Sequence, residues 1–192
     1  MITSYSFADE KWIEDFDYAV APHTKAAAKF ELGCGILENK FNEDIDEYDY
    51  VSVISKTTYP SGTKIRTRCS FSGDGAPLLV FSNDLTERGN SLLYGLHFEI
   101  VVYKGGVNVW HIVPKPERAL RPINPTKILK AEFPIADGTD VPLEVEITRG
   151  AIRINVLDKS YLVENEEIPE SFRVGLTACE GYCRFDELEI EG

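Results

Sequence analysis

The sequence is short of basic residues, poor in cysteine and histidine, and without any long apolar run. Its 192 residues carry 20 Lys and Arg against 32 Asp and Glu, a formal net charge of −12. That balance argues against nucleic acid as a partner, because phosphate binding needs a basic face that releases counterions. It disfavours an anionic membrane surface for the same reason. No apolar stretch approaches the roughly 20 residues of a transmembrane helix. Met1 to Glu10, MITSYSFADE, lacks the basic and apolar regions of a secretory signal, and the expected location is cytoplasmic. Of the four cysteines, Cys34, Cys69, Cys179 and Cys183, only the last two are close in sequence, and Cys-x-x-x-Cys falls short of the four ligands of a structural zinc site. Unremarkable thiols are expected, with a disulfide or a metal as the alternatives. The length suits one domain spanning 1–192, large enough to bury a core without staples. A hydrophobic share of 43% is too high for a disordered chain.

What is present is alternation. Segments of period two occur at Phe30 to Leu37, Val51 to Lys56, Lys64 to Phe71, Leu78 to Ser82, Tyr94 to Tyr103 and Val107 to Val113. Others follow at Leu143 to Arg149, Ala151 to Leu157, Phe172 to Ala178 and Arg184 to Ile190. Gly-containing turns separate several of them, among them Ser72-Gly73-Asp74-Gly75 and Lys104-Gly105-Gly106. Helical periodicity is confined to one short turn at Ala26-Ala27-Ala28. Pro114 to Pro125, with four prolines and Arg118 and Arg121, reads as a long loop. About ten strands in one chain predict an all-β, two-sheet antiparallel sandwich of jelly-roll type.

The stretch Tyr94 to Val113 sorts into two faces. Folding it about Gly105-Gly106 sets Tyr103 opposite Asn108, Val101 opposite Trp110 and Glu99 opposite Ile112. Leu96, Phe98, Ile100, Val102, Val107, Val109, His111 and Val113 form the core set, with His111 as a core histidine. His97, Glu99, Val101, Tyr103, Asn108, Trp110 and Ile112 share the other face. Parity also puts Lys64, Arg66, Arg68 and Ser70 on one side of an earlier strand, opposite Ile65, Thr67, Cys69 and Phe71. In the same sheet, the basic set would join His97 and Trp110, with Lys104 nearby. Such a surface suits a saccharide, whose C–H face packs on Trp or Tyr while its hydroxyls bind Asn, Glu and Arg.

Four pieces carry a resemblance: Phe7 with Trp12; Tyr59-Pro60-Ser61-Gly62 before the Lys64 strand; the hairpin PLEVEITRGAIRINV at Pro142 to Val156; and the closing VGLTACEGYCRFDELEI at Val174 to Ile190. From about Phe7 to Ile190 the chain resembles the concanavalin A-like lectin and glucanase superfamily. The resemblance implies a jelly roll, and activity has to be argued from the site. Related folds hold Ca²⁺ near their terminal strands, which makes Asp186 the candidate for a structural ion; no other cofactor is expected. The glucanase signature Glu-x-Asp-x-x-Glu is absent. The nearest stretch, Asp44-Ile45-Asp46-Glu47-Tyr48-Asp49, has Asp at both ends and reads as a solvated loop. Three readings compete. The first is saccharide binding through Arg66, Arg68, Tyr103, Asn108 and Trp110. The second is a carbohydrate-active enzyme, a glycoside hydrolase or a polysaccharide lyase, with His97 and Glu99 as acid and base. The third is a protein-interaction module.

Overall fold

The computed structural model describes residues 2–22, 24, 29–39, 50–117 and 122–192. The strands in chain order are β1 (Ile2–Tyr5), β2 (Phe16–Val20), β3 (Phe30–Gly33), β4 (Ile36–Asn39), β5 (Tyr50–Ser55), β6 (Tyr59–Pro60), β7 (Thr63–Ser72), β8 (Ala76–Ser82) and β9 (Leu85–Arg88). They continue with β10 (Ser91–Tyr94), β11 (His97–Tyr103), β12 (Gly106–Pro114), β13 (Ile123–Glu132), β14 (Val141–Thr148), β15 (Ala151–Val156), β16 (Lys159–Glu164), β17 (Ser171–Cys179) and β18 (Tyr182–Glu191). A short 3-10 helix, Glu10–Asp15, precedes β2 and buries Trp12. The molecule is a two-sheet jelly roll. One sheet has eight strands in the order β16-β15-β14-β7-β18-β4-β3, with β1 also on β18. The other has ten, β13-β12-β11-β8-β17-β5-β2-β10-β9, with β6 on β17.

The burial of each strand follows from what covers it. In β7 and β14 buried and more accessible residues alternate, so one face meets the core and the other meets water. Every residue of β5 and β8 is buried, which means that both faces of the ten-stranded sheet are covered there. Its inner face joins the main core through Phe81, Phe98, Ile100, Val107, Val109 and Leu176. Its outer face carries a second apolar cluster in which Ala19, Ala21, Tyr50, Ile54, Val80 and Tyr94 pack with Leu85 and Leu92. The β2-β10-β9 end of the sheet therefore curls over its own outer face and makes a trough.

Several expectations need correction. The sandwich is not wholly antiparallel, since β10 runs parallel to β2, an arrangement that the long intervening chain permits. The strand expected from Tyr94 to Tyr103 breaks at Gly95 and Leu96, whose backbone N–H groups bond to the Asp84 carbonyl and carboxylate, each at 2.7 Å. Phe30 to Leu37 is two strands, turning at Cys34-Gly35. The long loop is shorter than expected, because β12 reaches Pro114 and β13 begins at Ile123. Pro125 is tolerated there because β13 is an edge strand. The β11–β12 hairpin turns at Lys104-Gly105, pairing Tyr103 with Gly106, Val101 with Asn108, Glu99 with Trp110 and His97 with Ile112. That register is two residues from the expected one, and an even shift preserves both faces. Gly106 takes a positive φ of 128°, and a Cβ there would lie 2.0 Å from the Ala131 carbonyl oxygen, which is why glycine closes this turn. The helical turn at Ala26 to Ala28, the acidic stretch Asp44 to Asp49, and Arg118 and Arg121 lie outside the described residues.

Candidate functional site

The outer face of the ten-stranded sheet divides into a closed floor and an open end. On the floor, Tyr50 Oη donates a hydrogen bond to Glu99 Oε1 at 2.8 Å. Burial and the neighbouring Glu99 hold the Tyr50 phenol well above its ordinary pKa, so it stays a neutral donor. Ser52 Oγ bonds to the Tyr94 hydroxyl at 2.8 Å and to Thr177 Oγ1 at 2.7 Å. The Tyr94 ring lies 4.9 Å from the ring of His97. Gly175 belongs to the same cross-strand row as Glu99, through Val80, and so leaves the row without a side chain on β17. A Cβ at Gly175 would come 2.2 Å from the Val53 carbonyl oxygen, so this close approach of β17 and β5 requires glycine.

His97 and Glu99 meet on this face, and the surroundings of His97 fix its tautomer. His97 Nδ1 is 2.7 Å from the Gly95 carbonyl oxygen, which only accepts, so Nδ1 carries a hydrogen. In a neutral ring Nε2 is then an acceptor. Glu99 Oε1 lies 3.3 Å from Nε2. At that separation the two atoms can share a hydrogen bond whenever one of them carries a proton. His97 is sealed, with 1% of its side chain exposed, whereas the Glu99 side chain is 11% exposed.

Glu99 leads to the open end. It is the direct cross-strand partner of Trp110, and Val101, Tyr103 and Trp110 are half-buried there. Asn108 is 7% exposed, and its Oδ1 has no hydrogen-bond partner among the described residues. Lys127 Nζ sits 4.6 Å from the centroid of the Trp110 ring. His111 is on the core face, stacked on Phe98 at 4.7 Å, with Nε2 3.4 Å from a Glu167 carboxylate oxygen. Burial pushes its pKa down.

Arg66 and Arg68 do not join this site. Their strand, β7, is central in the eight-stranded sheet, because it pairs with β14 and β18. On the outer face of that sheet Arg66 bonds Glu144 Oε2 at 2.7 Å, Glu189 Oε1 at 2.5 Å and Glu191 Oε2 at 3.1 Å. Arg68 pairs with Asp140, Lys64 with Glu146, and Lys104 with Asp74 on the hairpin turn. The basic set that parity had collected onto one face with His97 is thus split between two sheets. Asp186 is exposed where the β18–β7 register shifts, and no group of three His, Cys, Asp or Glu able to hold a metal occurs among the described residues. The sequence reading missed Tyr50, Tyr94 and Lys127. Nothing local marks them, since their role comes from which strands become neighbours.

No family model matches the chain, and no curated protein matches it in sequence. Solved structures do match in shape. A Bacillus subtilis protein of unknown function with a galectin-like fold aligns over 98% of this chain and 94% of its own, with a TM-score of 0.65 at 12% identity. The chain has the concanavalin A-like jelly-roll fold. A κ-carrageenase from Pseudoalteromonas carrageenovora, in complex with an oligotetrasaccharide of κ-carrageenan, covers 97% and 92% at a TM-score of 0.59 and 9% identity. A carbohydrate-binding module from Bacillus subtilis covers 78% and 83% at 0.55 and 12%. At such identities the likeness concerns the fold, and the site has to be argued from this chain's own residues.

Proposed function

We propose that the protein binds a saccharide at the open end of the ten-stranded sheet. The observation that carries this reading is the cross-strand pair of Glu99 and Trp110. A sugar ring presents C–H groups that pack on an indole and hydroxyls that donate to a carboxylate, and this pair offers both side by side. The unpartnered Oδ1 of Asn108, two residues before Trp110 on the same face, wants a donor such as a hydroxyl. Tyr50 and His97 hold Glu99 from behind, so its carboxylate is positioned before any ligand arrives. The carbohydrate-binding module and the carrageenase show that jelly rolls of this shape serve sugars, which supports the same use here.

A second reading, catalysis, is favoured by one observation, the 3.3 Å approach of His97 Nε2 to Glu99 Oε1. Such a pair is equipped to donate and recover a proton at a glycosidic oxygen or at a carbon acid. Isothermal titration with a panel of oligosaccharides, paired with chromatography of the products, separates the two. A binding protein leaves the sugars intact and loses affinity by about ten-fold or more in Trp110→Ala. An enzyme cleaves at least one of them, and Glu99→Gln lowers kcat with little change in affinity. The proposal is wrong if no sugar binds, or if Trp110→Ala binds as tightly as the wild type.

A further inference from the structure

The register between β12 and β13 shifts between Val109 and Trp110, so that Asn108 faces Lys130 while Trp110 faces Lys127. Residues three apart in a regular strand point to opposite faces. The bulge cancels that difference and brings both lysines to the outer face, beside Asn108 and Trp110. The two are not equivalent. Lys130 Nζ is paired with Glu132 Oε1 at 2.6 Å. Lys127 makes no ion pair among the described residues, and its ammonium rests over the Trp110 ring instead.

We propose that this end of the sheet selects a saccharide carrying an anionic group, a carboxylate or a sulfate, with Lys127 as the residue that decides. This rests on the saccharide reading above. The ammonium occupies one face of the indole, in an exposed cation–π contact that is individually weak. A neutral sugar stacking on that face has to displace the ammonium and offers it no charged partner. An anionic sugar gives it a carboxylate or sulfate oxygen, a charge-assisted hydrogen bond stronger than the contact it replaces. The ammonium then swings off the ring, and the indole face opens to the sugar's C–H groups. The other charges at this end fit the scheme: Glu132 is already paired with Lys130, and Glu99 is engaged by Tyr50 and His97. Among the described residues at this end of the sheet, Lys127 is therefore the cation placed to meet a ligand. The bulk charge of −12 does not oppose it, because surface charges farther off than a Debye length are screened at physiological salt.

The test is calorimetric titration of matched oligosaccharides: oligogalacturonides with free or methyl-esterified carboxylates, and carrageenan oligosaccharides with or without their sulfates. The variants are Lys127→Met and, as a control for net charge on the other sheet, Arg153→Met. The expected result is that the charged form of at least one pair binds about ten-fold or more tighter than its neutral form. Lys127→Met should abolish that preference while Arg153→Met keeps it, and added salt should weaken the charged ligand alone. Equal binding of charged and neutral forms overturns the anion preference but leaves the saccharide reading standing, provided Trp110→Ala still loses both. A charge preference that survives Lys127→Met overturns the role of that lysine. Failure of every sugar to bind overturns both readings.

Discussion

Tyr50 and Glu99 lie 49 positions apart in sequence and on strands separated by two others, yet the Tyr50 hydroxyl donates to Glu99 Oε1 at 2.8 Å. The bond spans the trough of the ten-stranded sheet and ties its closed floor to its open end. Tyr50→Phe leaves a buried carboxylate without that donor, and the cost of an unsatisfied buried partner is about 1–3 kcal/mol. Urea denaturation should show that loss with an unchanged m-value, and the affinity for saccharide should fall with it. An unchanged midpoint would mean that the bond contributes nothing in solution.

The His97 tautomer is set by the Gly95 carbonyl. Histidine ¹⁵N spectra of the folded protein should show a hydrogen on Nδ1 of His97. In Glu99→Gln the side-chain amide can donate to Nε2, and the ring should keep its hydrogen on Nδ1. A neutral ring protonated on Nε2 would contradict the geometry.

Arg66 should matter to acid stability and not to the ligand. It holds the Glu144 carboxyl below the usual carboxylate range, with help from Asn155. A depressed folded pKa gives stability that is complete above the unfolded carboxylate value and is lost as pH falls through the lower folded value. Both side chains are more than a third exposed, so the advantage of wild type over Arg66→Met should stay below about 1 kcal/mol at neutral pH. It should vanish in acid, below the ordinary carboxylate range. Saccharide affinity should be unchanged, and a marked loss would return Arg66 to the binding residues.

Thiol reactivity should follow burial. Cys34 is exposed, while burial pushes the Cys69 thiol up strongly and that of Cys183 to about 12. With a thiol reagent at neutral pH, Cys34 should be modified readily in the folded protein. Cys69 and Cys183 should react only at the rate of unfolding. Mass spectrometry of timed samples reads both, and early labelling of Cys69 would mean that the core opens locally there.

Sequence alternation alone was enough to recover the sandwich and the faces of its strands. Ile65, Thr67, Cys69 and Phe71 are buried as expected, and so are Phe98, Ile100, Val102, Val107 and Val109. Face assignment is robust because a side chain's side depends only on parity, which a two-residue error in hairpin register does not disturb. For that reason parity keeps His97 and Glu99 on one face, even though it pairs Glu99 with Ile112 where the structure pairs it with Trp110.

Sheet membership was beyond the reach of parity. The period-two pattern of β7 is the same whether it lies beside β11 or, as it does, between β14 and β18. Parity therefore groups Arg66 with His97, whereas its partners are Glu144, Glu189 and Glu191. The bulge that turns Lys127 toward Trp110, and the curl that carries Tyr50 across to Glu99, likewise leave no local trace. Alternating hydrophobicity determines which side of a strand is wet, because burying apolar surface is a local demand. Which strands become neighbours is decided only when the whole chain closes one core, and the candidate site is made by those neighbours.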